Sequence, residues 1–331
     1  MSRARPSSSP PSGGPIEVRG LVRRFGSITA VDGVDLDVGH GEIFGFLGAN
    51  GAGKSTIVRM LVTLLRPTAG SARVAGWDVV KQAAQVRRAI GVALQEAALD
   101  PLMTGRELLR LQATLHGIRR PEVERRGGEL LERVGLTAAA DRRVGTYSGG
   151  MRRRLDLAMA LVHQPVVLFL DEPTTGLDPM SRISLWEEVR NLNHERGTTV
   201  FLTTQYLEEA DELAGRIAII DRGRIVREGS PADLKAEVGD PTLHLMVAQG
   251  GEDKAAGVLE RFGPRAPSKL GSLAVHLANG AVDLPAVVRA LDEVGVRPLS
   301  MEITAPSLDD VFAEATGRRL EGAEQDLDVG A

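Results

Sequence analysis

The sequence has 331 residues, 43% hydrophobic and 25% charged, with 40 Lys+Arg against 44 Asp+Glu for a formal charge of −4. At roughly 150 residues per domain this length suggests two domains; the composition excludes collagen-like, fibrous and wholly disordered classes, and the charge excludes the cationic surface that nucleic acid needs as a main partner. Cysteine is absent, which removes disulfide scaffolds, thiolate zinc sites and thiol catalysis, and no apolar run approaches the ~20 residues that span a bilayer, so a cytoplasmic chain is expected.

Residues 1 to 15 are rich in Ser, Pro and Gly without an apolar centre and read as a disordered tail rather than a signal peptide. Ile16 to Arg19 and Leu21 to Phe25 are short β-prone runs, and Val34, Leu36 and Val38 alternate with Asp35 and Asp37, the pattern of half-buried antiparallel strands. Ile43 to Leu47, Val166 to Leu170, Thr199 to Leu202 and Ile217 to Ile220 are almost continuously apolar, as strands of a parallel sheet covered on both faces are. Between them, Ile57, Leu61, Leu64 and Leu65 form a helical stripe ending at Pro67, and Ile183, Trp186 and Val189 form another after Asp178-Pro179, an N-cap followed by proline at the first helical position.

A hairpin is expected at Asp221 to Arg224, then a short helix from Ser230-Pro231 to Gly239, with Gly239-Asp240-Pro241 as the boundary between domains 16–240 and 241–317. The second domain alternates strand-like and helix-like runs and reads as a small α/β sandwich, with Leu308, Val311 and Phe312 as a helix face. The acidic stretch 318 to 331 reads as a disordered tail. No internal repeat is found, and the six histidines have no ligand spacing.

The strand Ile43 to Leu47 runs straight into Gly48-Ala49-Asn50-Gly51-Ala52-Gly53-Lys54-Ser55-Thr56, a G-x-x-x-x-G-K-[ST] phosphate loop in its proper strand-to-helix context. Gly48, Gly51 and Gly53 let backbone N–H groups converge on a phosphate, with Asn50 among them; the helix beginning near Lys54 adds its positive end, and Lys54 supplies a point charge to the β and γ oxygens. Ser55, followed by Thr56, is the expected Mg²⁺ ligand. The glycine order is wrong for a dinucleotide fingerprint.

Val166 to Leu170 delivers Asp171 and Glu172 at the C-terminal end of a strand, where ligands of parallel sheets bind. Because neighbouring strand residues point to opposite faces, Asp171 is expected in the Mg²⁺ shell and Glu172 at the γ-phosphate, polarising a water.

Tyr147-Ser148-Gly149-Gly150-Met151 lies between these motifs and Pro173-Thr174-Thr175-Gly176-Leu177-Asp178 follows them. Together they resemble an ATP-binding cassette (ABC) ATPase. The resemblance implies a P-loop NTPase fold of ABC type over about residues 16 to 240, a parallel core sheet with an antiparallel β subdomain and a helical subdomain, plus a small C-terminal α/β domain. It implies ATP and Mg²⁺ as bound groups, and a head-to-tail pair of copies in which Ser148, Gly149 and Gly150 grip the γ-phosphate held by the other copy. It also implies that Phe25 stacks on adenine, that Gln95 touches Mg²⁺ or the lytic water and reports to a membrane permease, and that Asp178 lies at the seam. Where the family mostly has a histidine after the strand ending near Thr203, this chain has Gln205, which can hydrogen-bond a γ-phosphate but carries no titratable proton. Arg152 to Arg154 and Glu208 to Glu212 read as solvated helix faces.

Thr203 to Asp211, Tyr147 to Asp156 and Ser307 to Phe312 are similar to the daunorubicin/doxorubicin-resistance exporter ATPases, which implies a subunit peripheral on the inner membrane face that powers drug export through a separate polytopic permease. An importer or lipid-transporter ATPase is the alternative. Residues 57 to 146 are too short for the heptad insertion of a genome-maintenance ATPase, and a two-cassette translation factor needs a second phosphate loop.

Overall fold

A computed structural model describes residues 14–95, 99–248, 250–266, 268 and 272–318. Of the two expected tails only Gly14, Pro15 and Arg318 fall among the described residues; the rest lie outside them. Contacts divide the chain into residues 1–231 and 232–331, a division N-terminal to the expected glycine-rich boundary.

In chain order the first unit opens with β1 (Ile16–Phe25) and β2 (Ile28–Val38). The two runs expected separately on either side of Gly20 are one strand, kept continuous by a bulge between Val18 and Leu21 in which Gly20 takes φ 54°, a left-handed conformation suited to glycine. There follow β3 (Ile43–Leu47), α1 (Lys54–Leu61), β4 (Ala69–Val74), β5 (Trp77–Asp78), α2 (Ala83–Ala89), β6 (Ile90–Ala93), α3 (Gly105–Leu115), α4 (Arg120–Arg133) and α5 (Gly149–Leu161). The unit continues through β7 (Val167–Asp171), α6 (Pro179–Arg196), β8 (Thr199–Thr204), α7 (Leu207–Leu213), β9 (Arg216–Asp221), β10 (Arg224–Gly229) and the start of α8 (Pro231–Val238).

These make an antiparallel sheet in the order β2-β1-β4-β5 and a six-stranded sheet in the order β10-β9-β3-β8-β7-β6. In the second, β9, β3, β8, β7 and β6 are parallel and only β10 runs against its neighbour. The apolar strands are buried as their composition requires: Phe44, Phe46, Phe169 and Phe201 are fully buried, and the first three pack around Phe201 at centroid distances of 5.6–5.7 Å. The helices α3, α4 and α5 pack as a separate layer through Leu108, Leu109, Leu130, Leu131 and Leu155. Its first helix begins at a reciprocal cap in which Thr104 and Glu107 each satisfy the other's backbone N–H, as a capping box does.

Two expected stripes are corrected. The first helix ends at Leu61 rather than near Pro67, and Leu64 is exposed. In α6 the buried face is Leu185, Trp186, Val189 and Leu192, while Ile183 is exposed.

The second unit contains β11 (Thr242–Val247), α9 (Glu252–Leu259), β12 (Leu273–His276), α10 (Leu284–Glu293), β13 (Pro298–Thr304) and α11 (Leu308–Thr316). Its antiparallel sheet, in the order β12-β11-β13, is backed by Val258, Leu259, Val287 and Leu291 from α9 and α10. Leu308, Val311 and Phe312 are buried, as a helix face.

Candidate functional site

The phosphate loop connects β3, in the middle of the parallel sheet, to α1. Gly53 caps α1 with φ 114°, and a Cβ there would come within 2.6 Å of the Ala30 carbonyl oxygen, so only glycine fits. That approach also brings the start of β2, and with it the Phe25–Ile28 hairpin, beside the loop. Phe25 is 45% exposed, not core, and the Arg23 guanidinium lies 4.4 Å from its ring centroid.

Lys54 is only 4% exposed, and its ammonium donates to the carbonyl oxygens of Gly48 (2.6 Å) and Ala49 (3.2 Å). Burial lowers its pKa, opposed by the charges of Glu172 and Asp171. The Glu172 carboxylate, itself buried, stands 3.4 Å from the Lys54 ammonium and accepts a hydrogen bond of 3.1 Å from the Gln95 amide. Ser55 Oγ donates to Asp171 Oδ1 at 3.3 Å, and Thr203 Oγ from the neighbouring strand bonds the same oxygen. Thus Lys54, Ser55, Gln95, Asp171 and Glu172 form one connected group at the C-terminal edge of β3, β7 and β6. Gln205, partly buried, follows the end of β8, which lies between β3 and β7.

The strand-alternation expectation for the carboxylate pair is corrected. β7 ends at Asp171, and Glu172 turns out of it with φ 48°, a left-handed conformation costing a non-glycine residue roughly 1–2 kcal/mol. It is held there by its N–H donating to the Thr203 carbonyl at 3.0 Å. The turn, not the pleat, aims Glu172 at Lys54 and Gln95.

A second group lies elsewhere on the same unit. Ser148 caps α5, accepting from the Met151 N–H at 3.2 Å, and Asp178 caps α6, accepting from the Ser181 N–H at 3.0 Å and the Ser181 hydroxyl at 2.6 Å. Those bonds hold the Asp178 carboxyl below its usual range. A Cβ on Gly150 would lie 3.0 Å from Ser181 Oγ, so both helix tips share one surface. Among the described residues, the hydrogen bonds of Ser148 and Asp178 are to their own helix tips and none reaches Lys54, Asp171 or Glu172.

Two expected solvated faces are corrected. Arg153 is 8% exposed and Glu209 fully buried. The Arg153 guanidinium donates to the carbonyl oxygens of Pro173 (2.8 Å), Asp171 (2.9 Å) and Leu94. Glu209 accepts from the Trp186 indole at 3.2 Å, and burial raises its pKa. The signal was present in the spacing: Arg153 falls four residues before buried Leu157, and Glu209 four before buried Leu213. Charge clustering masked it.

The model of the ABC transporter family matches residues 31–175. The daunorubicin resistance ATP-binding protein DrrA3 of Streptomyces coeruleorubidus is 46% identical over 311 residues, 93% of this chain and 98% of that protein. The linearmycin resistance ATP-binding protein LnrL of Bacillus subtilis is 35% identical over 316 residues, 92% of this chain and 99% of that one. The dimeric structure of the post-hydrolysis state of the ATP-binding cassette MJ0796 bound to ADP and Pi superposes with a TM-score of 0.60 at 26% identity, covering 65% of this chain and 98% of that one.

Proposed function

The chain belongs to the ATP-binding subunits of ABC transporters, in the branch of the daunorubicin/doxorubicin resistance proteins, and is an ATPase; on that premise we propose that it powers export of hydrophobic drugs or antibiotics through a separate membrane permease. The observation that carries this reading is the convergence of Lys54, Ser55, Gln95, Asp171 and Glu172 on one sheet edge. The relatives named for daunorubicin and linearmycin resistance support the export direction over import.

In this reading the main-chain amides of Gly48 to Thr56, including those of Asn50, Gly51 and Gly53, cradle the β-phosphate, and Lys54 turns to the β and γ oxygens. Phe25, 45% exposed, offers its ring to adenine for stacking. The oxygen donors Ser55 and Asp171, with the side-chain oxygen of Gln95, fit Mg²⁺, which favours hard ligands shared with substrate phosphates. Bound there, Mg²⁺ would neutralise charge on the phosphate oxygens. Glu172 orients and polarises a water for attack on the γ-phosphorus; the bond to the β–γ bridging oxygen breaks, leaving ADP and phosphate. Gln205 donates to the γ-phosphate without titrating. A second copy, head to tail, closes the site with its own Ser148, Gly149 and Gly150 at a helix N-terminus, and with Asp178 at the seam.

Among the described residues no helix is long and apolar enough to cross a membrane; in this reading a separate permease holds the chain at the inner face. Its landing place is the groove of about 730 Å³ whose wall includes Leu94, next to Gln95, with the exposed Leu64 and Leu115. The test is ATP-driven accumulation of daunorubicin in inside-out vesicles carrying the chain and its permease, lost with Lys54→Ala. Accumulation only in right-side-out vesicles would make it an importer.

A further inference from the structure

Glu172 keeps a backbone conformation that side chains other than glycine rarely adopt, so something must hold the chain on both sides of it. On one side is Asp171 and on the other Pro173, and the carbonyl oxygens of both accept from a single guanidinium, that of Arg153 (2.9 and 2.8 Å). The remaining terminal nitrogen of that guanidinium bonds the carbonyl oxygen of Leu94, the residue before Gln95. One planar fork therefore ties together the two segments that carry Gln95 and Glu172, whose own side chains meet at 3.1 Å. Arg153 is rooted in α5, five residues after Ser148, so it also fixes both segments to the helix that Ser148 caps.

The charge is nearly enclosed. Its nearest carboxylate is Asp156, 3.5 Å away and one turn along the same helix, and Asp156 lines the groove that also contains Leu94. A guanidinium suits this place and an ammonium does not: three carbonyl oxygens around the edge of one plane match fixed donors, whereas a lysine's point charge reaches one or two of them.

We propose that Arg153 is a positioning residue for ATP hydrolysis, which holds Glu172 in its left-handed turn and keeps Gln95 against it while anchoring both to the signature helix. The proposal rests on Glu172 being the group that orients the lytic water. It predicts a loss confined to the chemical step, because no atom of Arg153 belongs to the set that meets the nucleotide.

The experiment is a kinetic cycle on the full chain with Arg153→Lys, Glu172→Gln and the double variant, with ATP affinity measured alongside turnover. Arg153→Lys is expected to lower kcat about tenfold or more with the ATP KM within about threefold of wild type. Added to Glu172→Gln it should cost nothing further, since the group it positions is already gone. A merely structural arginine would instead lower both backgrounds alike or weaken ATP binding, and either result overturns the proposal. So does a wild-type kcat in Arg153→Lys. Should that variant fail to fold, Arg153→Gln, which keeps a neutral donor, is read by the same criteria. Undiminished turnover in Glu172→Gln would overturn the role of Glu172 itself, a result separable from failure of Arg153 alone.

Discussion

The ammonium of Lys54 lies 3.4 Å from the carboxylate of Glu172, and both side chains are almost wholly buried. A buried ion pair of this kind is stable only while both members are satisfied, and the proposed function gives each a distinct job toward ATP. In the proposed reading ATP binding exchanges partners: phosphate oxygens would take Lys54, and Glu172, which accepts from Gln95 at 3.1 Å, would turn its charge to a water.

Removing either member should therefore give different defects. Lys54→Ala is expected to lose ATP binding, measured by fluorescence titration with a labelled nucleotide. Glu172→Gln should bind ATP within a fewfold of wild type but turn it over ~100-fold more slowly, on the scale typical of general-base loss. Normal turnover in Glu172→Gln would count against its role as the water-polarising group.

Phe25 is exposed and lies on a hairpin beside the phosphate loop. If its ring carries adenine, Phe25→Ala weakens ATP binding by about 1–3 kcal/mol, roughly 5- to 150-fold, and Phe25→Trp preserves it. The ratio of ATP to inorganic triphosphate affinity is the direct measure: only the nucleotide should suffer.

Gln205 follows β8 without a titratable proton to give. Gln205→Ala is expected to lower turnover more than affinity, as loss of a transition-state contact does. Parallel Kd and kcat measurements check it, and equal losses in both would speak against a contact specific to the transferring phosphate.

The groove beside Leu94 holds three groups with displaced proton affinities, His116, lowered by burial, and the more strongly displaced Asp156 and His163. Burial raises the Asp156 carboxyl to about 6, against the pull of Arg153. Burial, then the stacked His116 ring at 3.7 Å, holds His163 down at about 4. The signs oppose. Asp156, raised from 3.8, contributes stability that is full below its unfolded value and lost as pH rises through about 6. His163, lowered from 6.5, contributes stability that is full above its unfolded value and lost as pH falls through about 4. Each changes stability by at most about 1.4 kcal/mol per pH unit, so between pH 4 and 6 they offset one another. Relative to wild type, Asp156→Asn should gain stability as pH rises through this window and His163→Gln as pH falls. Urea midpoints from pH 4.5 to 7 test both; slopes parallel to wild type would exclude the assignment.

Much of this was legible in the chain. Continuous apolar runs mark β3, β7, β8 and β9 because strands covered on both faces have no polar side to show. The phosphate loop is legible because its glycines answer a steric demand visible at Gly53. What escaped was imposed from a distance. β4, reading Ala-Gly-Ser-Ala-Arg-Val, has little intrinsic strand preference and is extended through its pairing with β1. β6 is four residues long and gains its place by adding to β7. Glu172 looked like one more strand residue because nothing local announces a left-handed turn. Arg153 and Glu209 looked solvated because clustered charge usually is, and only their helical spacing from Leu157 and Leu213 betrayed the burial.

In the proposed function one ATP is shared by two copies, cradled at Lys54 in one and gripped at Ser148 in the other. The most direct measurement is the mass in solution of Glu172→Gln, by light scattering, with and without ATP and Mg²⁺, beside the same variant carrying Ser148→Arg. A dimer is expected with ATP, a monomer without it, and a monomer in both conditions once Ser148 is replaced. A Glu172→Gln protein that binds ATP and stays monomeric, or a dimer indifferent to Ser148→Arg, would contradict it.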